Sequence, residues 1–554
     1  MQRLLDVFSL EPVDFTFSRL DFWLFFLVVM IFFSLLHKNK LVRSIYLTAV
    51  SLFFYYKTSG LSVFILVFTL ATNYSLGHLI VSRTKQTSRT ALLTAGVVLN
   101  VLVLSYFKYA YFFTTSFNEF FHTNYEVFNL ISYFQNGFSS YGPNNVFDRL
   151  LLPAGVSFFT FSSIGYIVDV YRKDVPPIKN VFHYSFFISF FPHLILGPIV
   201  RAKEFVPQIN KPYTLTKDEF GWAIFQILKG IFKKLVLADY IAVHFIDKIV
   251  DSPEAYPGFV SLVAIFAYSL QIYGDFSGYT DMAVGVARLM GFKLMKNFDS
   301  PYKSLNTAEF WRRWHVSLGT WWKNYLYIPL GGNRTGGFAS ITTITIIFIF
   351  LFFFTKWFWL LYVLLAFITI YFTIIWLFPK AKKIIYRDMN LMITMVVGGL
   401  WHNPNQNYLI WGALNGLGLV FYNHWKKISP YENSNHWMVR VWKIFSTFTF
   451  MTIARIWFRV EGKSEPFDYF NHMVTKFEWS TSSFILMCST FSIPLIILVL
   501  GLVLHWLPDR NETWLENKFS KTPFAIQMVA SCVFVIGVYQ LVADTSKHFV
   551  YFYF

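Results

Sequence analysis

Apolar residues in this chain come in long runs, not in the alternating pattern of half-buried strands. The runs lie at 20–36, 43–56, 61–82, 91–113, 150–171, 182–200, 221–247, 257–290, 338–355, 357–378, 389–401, 407–424, 440–458, 484–506 and 524–543. Several reach or approach the roughly 20 residues that a helix needs to cross a bilayer, and the shorter ones suit half-spans or re-entrant pieces. Inside hydrocarbon the backbone must satisfy its own polar groups, so spans are helices or closed barrels. Runs without alternation exclude the barrel. The pattern predicts an all-α polytopic membrane protein of a dozen or more helices.

The intervals between the early runs differ in charge. "HKNKLVR" (37–43), "SRTKQTSR" (82–89) and "RKDVPPIK" (172–179) are basic, whereas "YYKTSG" (55–60) and the 114–149 loop are not; that loop holds only His122 and Arg149 beside three acids. Lys and Arg concentrate in cytoplasmic loops, so the alternation up to about residue 200 places the N-terminus and the 114–149 loop outside. Composition agrees with residence in lipid: 14% of the 554 residues are charged, against about 25% in a soluble domain, and the mean hydropathy is +0.47. The net charge of +17 would suggest nucleic acid on a soluble protein. Here the loop distribution accounts for it, and no nucleic-acid partner is expected. Cys488 and Cys532 each sit in an apolar run, which suits packing and not a disulfide framework. The first run is flanked by Asp6, Glu11 and Asp14 and stopped by "HKNK", a pattern unlike a cleaved signal.

Five segments emerge. Residues 1–149 are simple spans with an outer loop, and 150–334 are denser in polar and aromatic residues. Residues 335–388 form a very apolar hairpin ending in "PKAKKIIYR", 389–430 hold the motif "GGLWHNPNQNYLIWGALNG", and 431–554 hold the final spans. The stretch 459–483 mixes aromatics with charges and suits the membrane surface.

Three places carry candidate chemistry. In "AEFWRRWHVSLGTWWKNYLYIPLGGNR" (308–334), a helix would bring Trp311, His315, Leu318, Trp322 and Tyr325 onto one face, with Arg312 and Arg313 pointing elsewhere. This suits a short or re-entrant helix lining a polar cavity, and equally an interfacial aromatic belt with basic anchors. In "QIYGDFSGYTDMAVGVAR" (271–288), Asp275, Ser277, Tyr279 and Asp281 interrupt an apolar span. A mid-span carboxylate costs about 2.5–3.5 kcal/mol on insertion scales, so it needs a partner; Arg288, Arg312 and Arg313 are the candidates, and structural pairing competes with catalysis. Finally, His402 follows Gly398-Gly399 and precedes an Asn-Pro turn. Burial would keep its ring neutral and able to take a proton, although a hydrogen-bonded structural role is the commoner fate of a lone histidine. There is no HExxH, CxxC or GxxxxGK(S/T) motif, "GDFSG" misplaces its serine for a hydrolase elbow, and His183 and His193 are too isolated for a metal site.

Together "LLPAGVSFFTFSSIGYIVDVYR" (151–172), "FFPHLILGPIVR" (190–201), "YSLQIYGDFSGYTDMAVGVARLMGF" (268–292), "FWRRWHVSLGTWWKNYLYIPLGGNR" (310–334) and "GGLWHNPNQNYLIWG" (398–412) resemble the membrane-bound O-acyltransferase (MBOAT) family. The likeness is to its bacterial branch concerned with alginate O-acetylation, and more distantly to the teichoic-acid D-alanyl transferases. It implies an MBOAT-like helical core, from 150–334 and 389–430, with short or re-entrant helices around a mid-membrane cavity in a bacterial inner membrane. It implies acyl transfer with His402 as general base and His315 as second catalytic histidine. Trp311, Arg312 and Arg313 would line the opposing wall, and Asp275, Ser277, Tyr279, Asn403 and Asn415 complete the expected substrate-binding set. No bound cofactor or metal is implied. The donor would be acetyl-CoA or another acyl thioester, including an acyl carrier, the acceptor an exported polysaccharide, and an esterase-like periplasmic acetyltransferase the partner. D-alanyl transfer, or transport of polysaccharide or acyl groups without chemistry, are the alternatives. Two departures stand out: Asn415 occupies the place of a histidine in the family's "WGxxHG", and the 335–388 hairpin is inserted, either as a lipid-facing addition or as a docking surface.

Overall fold

The computed structural model describes residues 15–130, 152–460 and 465–542. Asp6, Glu11, Asp14 and Arg149, most of the outer loop, and 461–464 of the mixed stretch lie outside the described residues. The described chain is helical throughout, without a strand among the described residues. Its main helices are α1 (Leu20–Leu36), α2 (Lys40–Ser59), α3 (Val63–Ser82), α4 (Gln86–Phe121), α5 (Val156–Tyr171), α6 (Lys217–Ile231) and α7 (Gly258–Leu289). Next come α8 (Thr307–Arg313), α9 (Val316–Trp322), α10 (Phe338–Thr355), α11 (Trp359–Leu377), α12 (Lys382–His402) and α13 (Gln406–Ile428). The chain ends with α14 (Trp437–Ala454), α15 (Ile456–Arg459), α16 (Thr481–Thr490), α17 (Ser492–Trp506), α18 (Asp509–Lys521) and α19 (Phe524–Leu541).

Five described segments are long and apolar enough to cross a membrane: 40–82, α4, α7, α11 and α19; the pair α16–α17, bent by 91°, makes a sixth if it is one span. That is fewer than the dozen the runs suggest, because breaks divide several of them. The run at 484–506 turns sharply at Phe491, and the run at 182–200 breaks at Phe190 between the helices Val181–Ser189 and Phe191–Leu194. Conversely, α4 continues to Phe121, so helix replaces the first turns of the loop expected from 114.

Contacts divide the chain into two units, residues 1–239, 273–296 and 508–554 in the first, and 240–272 and 297–507 in the second. In the first, α3 and α4 are tied by reciprocal amide hydrogen bonds between Asn73 and Asn100, at 3.1 and 2.8 Å. A Thr216–Glu219 capping box starts α6, where Glu219 also pairs with Arg288. In the second, the inserted hairpin α10–α11 packs on α12 through Ile344, Tyr371, Tyr386 and Met389. The remainder of α11 presents Leu361, Leu365, Ile370 and Trp376 outward, an apolar surface that suits lipid or a docked partner. The mixed stretch contains the helix Pro466–Thr475, which buries Pro466, Tyr469 and Met473 along one side.

Candidate active site

The histidine motif folds as a tight helical hairpin. Helix α12 ends at His402 because Asn403 is extended (φ −158°, ψ 143°); a residue before proline is pushed out of the α region. Asn405 then caps α13, its side chain accepting from the Asn407 amide at 2.9 Å. The two helices touch backbone to backbone at Gly399, where an added Cβ would overlap the Tyr408 carbonyl oxygen and lie 3.1 Å from the Gly412 Cα. Its neighbour Gly398 faces open space, with no atom within 4 Å of such a Cβ.

This close approach buries His402 in a shell of rings. Its centroid lies 4.6 Å from Trp401, 5.2 Å from Trp411, 5.1 Å from Phe458 and 6.4 Å from Tyr408. Trp411 in turn meets Trp311 of α8 edge-on at 5.9 Å, and Trp401 meets Trp322 of α9 at 6.5 Å. Residues of five helices, α8, α9, α12, α13 and α15, therefore gather around one imidazole, those of α8 and α9 through Trp411 and Trp401. The indole N–H groups of Trp311 and Trp411 are buried without a hydrogen-bond acceptor among the described residues. A buried donor left unmade costs about 1–3 kcal/mol, so these two are available to a bound oxygen.

The expected single helical face from Trp311 to Tyr325 does not form. Trp314 is extended and ends α8, and His315 adopts the left-handed conformation (φ 47°) before α9 begins. Asn297 fixes this break, its side-chain oxygen accepting from the Ser317 amide and hydroxyl at 3.1 and 2.9 Å. His315 is buried, with Phe298 at 6.4 Å, while Trp311 is carried to the His402 shell by the other helix. Arg313 turns to Glu309 (2.8 Å) and Asp299 (3.6 Å), and Arg312 is exposed. Asn403 is half-buried in the turn. Asn415 is not at the turn: it is fully buried within α13, donating to the Trp411 carbonyl at 2.8 Å.

The intramembrane carboxylates belong to the first unit, and their partners are lysines, not the arginines expected. Lys234, fully buried, donates to Asp275 at 2.6 Å and pairs with Asp239 at 2.9 Å; Lys233 reaches Asp281 at 2.7 Å. The cause is local geometry. Residues Phe232–Tyr240 are π-helical, and Gly230 and Gly278 cross so closely that a Cβ on either would meet the other's carbonyl oxygen. That crossing brings the short Asp side chains within reach of both lysines. The sequence signal was the set of three lysines, Lys229, Lys233 and Lys234, inside the apolar run 221–247. Tyr279 stacks on Phe17 at 4.7 Å, and the Ser277 hydroxyl is buried without a partner among the described residues. Among the described residues, no group of three or more His, Cys, Asp or Glu side chains could hold a metal ion.

Comparison with known proteins fits this arrangement. The family model of the membrane-bound O-acyltransferases matches residues 50–379, well over half of the chain. The chain belongs to the membrane-bound O-acyltransferase family. It is 35% identical over 424 residues to a protein of Pseudomonas aeruginosa named probable alginate O-acetylase, covering 76% of this chain and 68% of that one. It is 30% identical over 465 residues to the peptidoglycan O-acetyltransferase of Helicobacter pylori, covering 79% and 75%. A teichoic acid D-alanyltransferase of Bacillus subtilis is 27% identical over 321 residues, covering 56% and 68%. The matched part of the Pseudomonas putida alginate O-acetylase relative is 56% of its length. The chain is thus a multi-pass membrane acyltransferase of the O-acetyltransferase branch. The matched family residues include His315 and the Lys234–Asp275 pair, and they stop before His402.

One cavity of this MBOAT chain opens beside the start of α8. A groove of about 540 Å³ lies along α13 and α14, lined by Thr307, Leu414, Gly418, Tyr422, Trp442 and Lys443 among others. Thr307 donates to the Gly418 carbonyl at 2.9 Å, one turn of α8 before Trp311. At its far end Lys443 pairs with Glu432 at 3.1 Å.

Proposed function

We propose that the chain moves an acetyl group from a thioester donor toward hydroxyls of an exported polysaccharide, by way of a periplasmic partner, with His402 as general base. The observation that carries this is the His402 shell, in which a buried imidazole packs on Trp411, whose indole N–H, like that of Trp311 behind it, lacks an acceptor among the described residues. In the reaction, the acceptor hydroxyl gives its proton to the imidazole as its oxygen attacks the thioester carbonyl. The tetrahedral intermediate collapses, the C–S bond breaks, and the thiolate leaves with the proton that His402 returns. A positioned base supplies about 10²–10⁴ in rate. The indoles of Trp311 and Trp411 are the groups available to stabilise the oxyanion, and His315 supports the opposing wall. Arg312, Asn403 and Asn415 remain candidates for substrate contact, and Asp275, Ser277 and Tyr279 for a role within the first unit.

Several features support the donor and acceptor assignment. The names of the alginate and peptidoglycan relatives favour acetyl transfer to a saccharide. Helix α12 carries Lys382, Lys383 and Arg387 at its start and His402 at its end, about 30 Å apart at 1.5 Å per residue. With the basic end cytoplasmic and the N-terminus outside, His402 stands toward the exported side of an inner membrane. The groove beside α13 offers room for a donor arm. Since the carrier stays inside, the acyl group passes to an esterase-like periplasmic partner that completes its transfer. D-alanyl transfer is a second reading, favoured by the Bacillus subtilis relative.

The test is His402→Ala in cells, with membrane insertion confirmed and the acyl content of surface polysaccharide measured by mass spectrometry. Loss of acetyl groups with polymer export intact is expected. Undiminished acylation would overturn the assignment, and a lost mass corresponding to alanine would favour the second reading.

A further inference from the structure

Arg455, at the junction of α14 and α15, is 4% exposed and forms no ion pair among the described residues. Its neighbours in kind are treated differently: Arg459, one turn on, pairs with Asp247 at 2.7 Å, and Arg313 pairs with Glu309. A buried charge without a counter-charge is costly, and what surrounds this one is aromatic. The guanidinium carbon lies 5.2 Å from the Tyr302 ring centre, 5.5 Å from Phe310 and 5.0 Å from Trp314. One N–H donates to the Ser269 hydroxyl at 3.0 Å, which also bonds Thr452, while the Tyr302 hydroxyl donates to the Ser269 carbonyl. The ring faces attract the cation and hold it without a carboxylate.

The cage reaches both histidine segments. Phe310 and Trp314, stacked at 5.6 Å with planes 18° apart, stand on either side of Trp311 in sequence, and Trp314 is the extended residue that precedes the left-handed His315. On the other side, the Phe458 amide donates to the Arg455 carbonyl at 3.0 Å, and the Phe458 ring packs against His402 and Trp411 at 5.1 and 5.2 Å. One side chain thus joins α8, with Trp311 and the break at His315, to the helix that backs His402.

We propose that Arg455 is a positioning residue for acyl transfer: its caged guanidinium sets the spacing between the Trp311 wall and the His402 wall. A planar, weakly hydrated guanidinium suits a cage of ring faces, and a lysine ammonium does not reproduce that contact. The proposal rests on His402 as the base, so both are tested together. Membrane vesicles holding the full-length chain, its periplasmic partner and its native polysaccharide acceptor are supplied with radiolabelled acetyl-CoA at varied concentration. Arg455→Met and Arg455→Lys are compared with wild type and His402→Ala, all normalised to folded, inserted protein.

A misplacement of about 1 Å in an active site can cost ~10²-fold. Both Arg455 variants are therefore expected to lose tenfold or more in kcat per folded molecule, with the KM for donor within about twofold of wild type. In a Trp311→Phe background, Arg455→Met should cost less than it does alone, because the group it positions has already been altered. Wild-type kcat per folded molecule in Arg455→Met, or full additivity with Trp311→Phe, would overturn the proposal. If instead His402→Ala retains activity, the base assignment falls whatever Arg455 does.

Discussion

Two adjacent glycines offer a controlled perturbation of the candidate site. Gly399 lies where α12 and α13 touch, and an alanine Cβ there would sit 2.1 Å from the Tyr408 carbonyl oxygen, well inside van der Waals contact, with the Gly412 Cα at 3.1 Å. Both contacts are backbone, so neither can swing aside; the helices must part by roughly 1 Å. Overpacking of this kind costs about 1–3 kcal/mol. Its larger effect is geometric. His402 ends the same helix three residues later, and its partners Tyr408 and Trp411 are on the other, so parting the helices pulls the imidazole from the Trp411 ring now at 5.2 Å. A shift of that size in an active site costs about 10²-fold in rate. Gly398→Ala is the control: nothing lies within 4 Å of the new methyl, and alanine in a helix interior gains up to about 1 kcal/mol over glycine. The assay is acetyl transfer to polysaccharide per inserted molecule, with thermal unfolding in detergent alongside. Gly399→Ala should lose activity out of proportion to its drop in stability, while Gly398→Ala keeps both. Wild-type activity in Gly399→Ala, or an equal loss in Gly398→Ala, would refute the reasoning.

Further predictions concern other parts of the molecule. Lys234→Met strands Asp239 and Asp275 in the interior, and removing one partner of a buried pair costs about 3–5 kcal/mol; little folded protein should be recovered in detergent, and adding Asp275→Asn should restore part of it. Recovery of Lys234→Met at wild-type yield and melting temperature would show the pair to be dispensable. Trp411→Phe keeps a ring against His402 but removes an N–H that has no acceptor among the described residues. Its stability should be unchanged or slightly raised while transfer falls by about 10²–10³-fold, the range for loss of one oxyanion donor; unchanged transfer would remove the indole from the mechanism.

Much of the architecture was legible in the order of residues, for a simple reason. A chain with 55% hydrophobic residues has few ways to satisfy its backbone in lipid, so apolar runs become helices, and α1, α10 and α11 coincide closely with theirs. The histidine turn was legible as well, because Pro404 and the flanking asparagines act on the backbone within a residue or two. The reading failed where a break depends on distant groups. Residues 308–325 have the spacing of one helix, yet Asn297 and the packing of Trp314 under Arg455 hold a left-handed residue at His315. The partners of Asp275 were missed because no local rule says that a π-helical stretch will turn Lys234 toward it.

The sequence by itself determined that this is a helical membrane protein with two unusual histidines and buried carboxylates, since length, hydropathy and turn chemistry act over short range. Only the tertiary structure decided which groups meet. Trp311, Trp322, Trp401, Trp411 and Phe458 are spread over nearly 150 residues and gather around one imidazole through close helix packing, the first two by way of Trp411 and Trp401. Such convergence depends on backbone approach at positions like Gly399 and on the balance of a buried charge against the faces of three rings. Neither is a property of any short stretch of the chain.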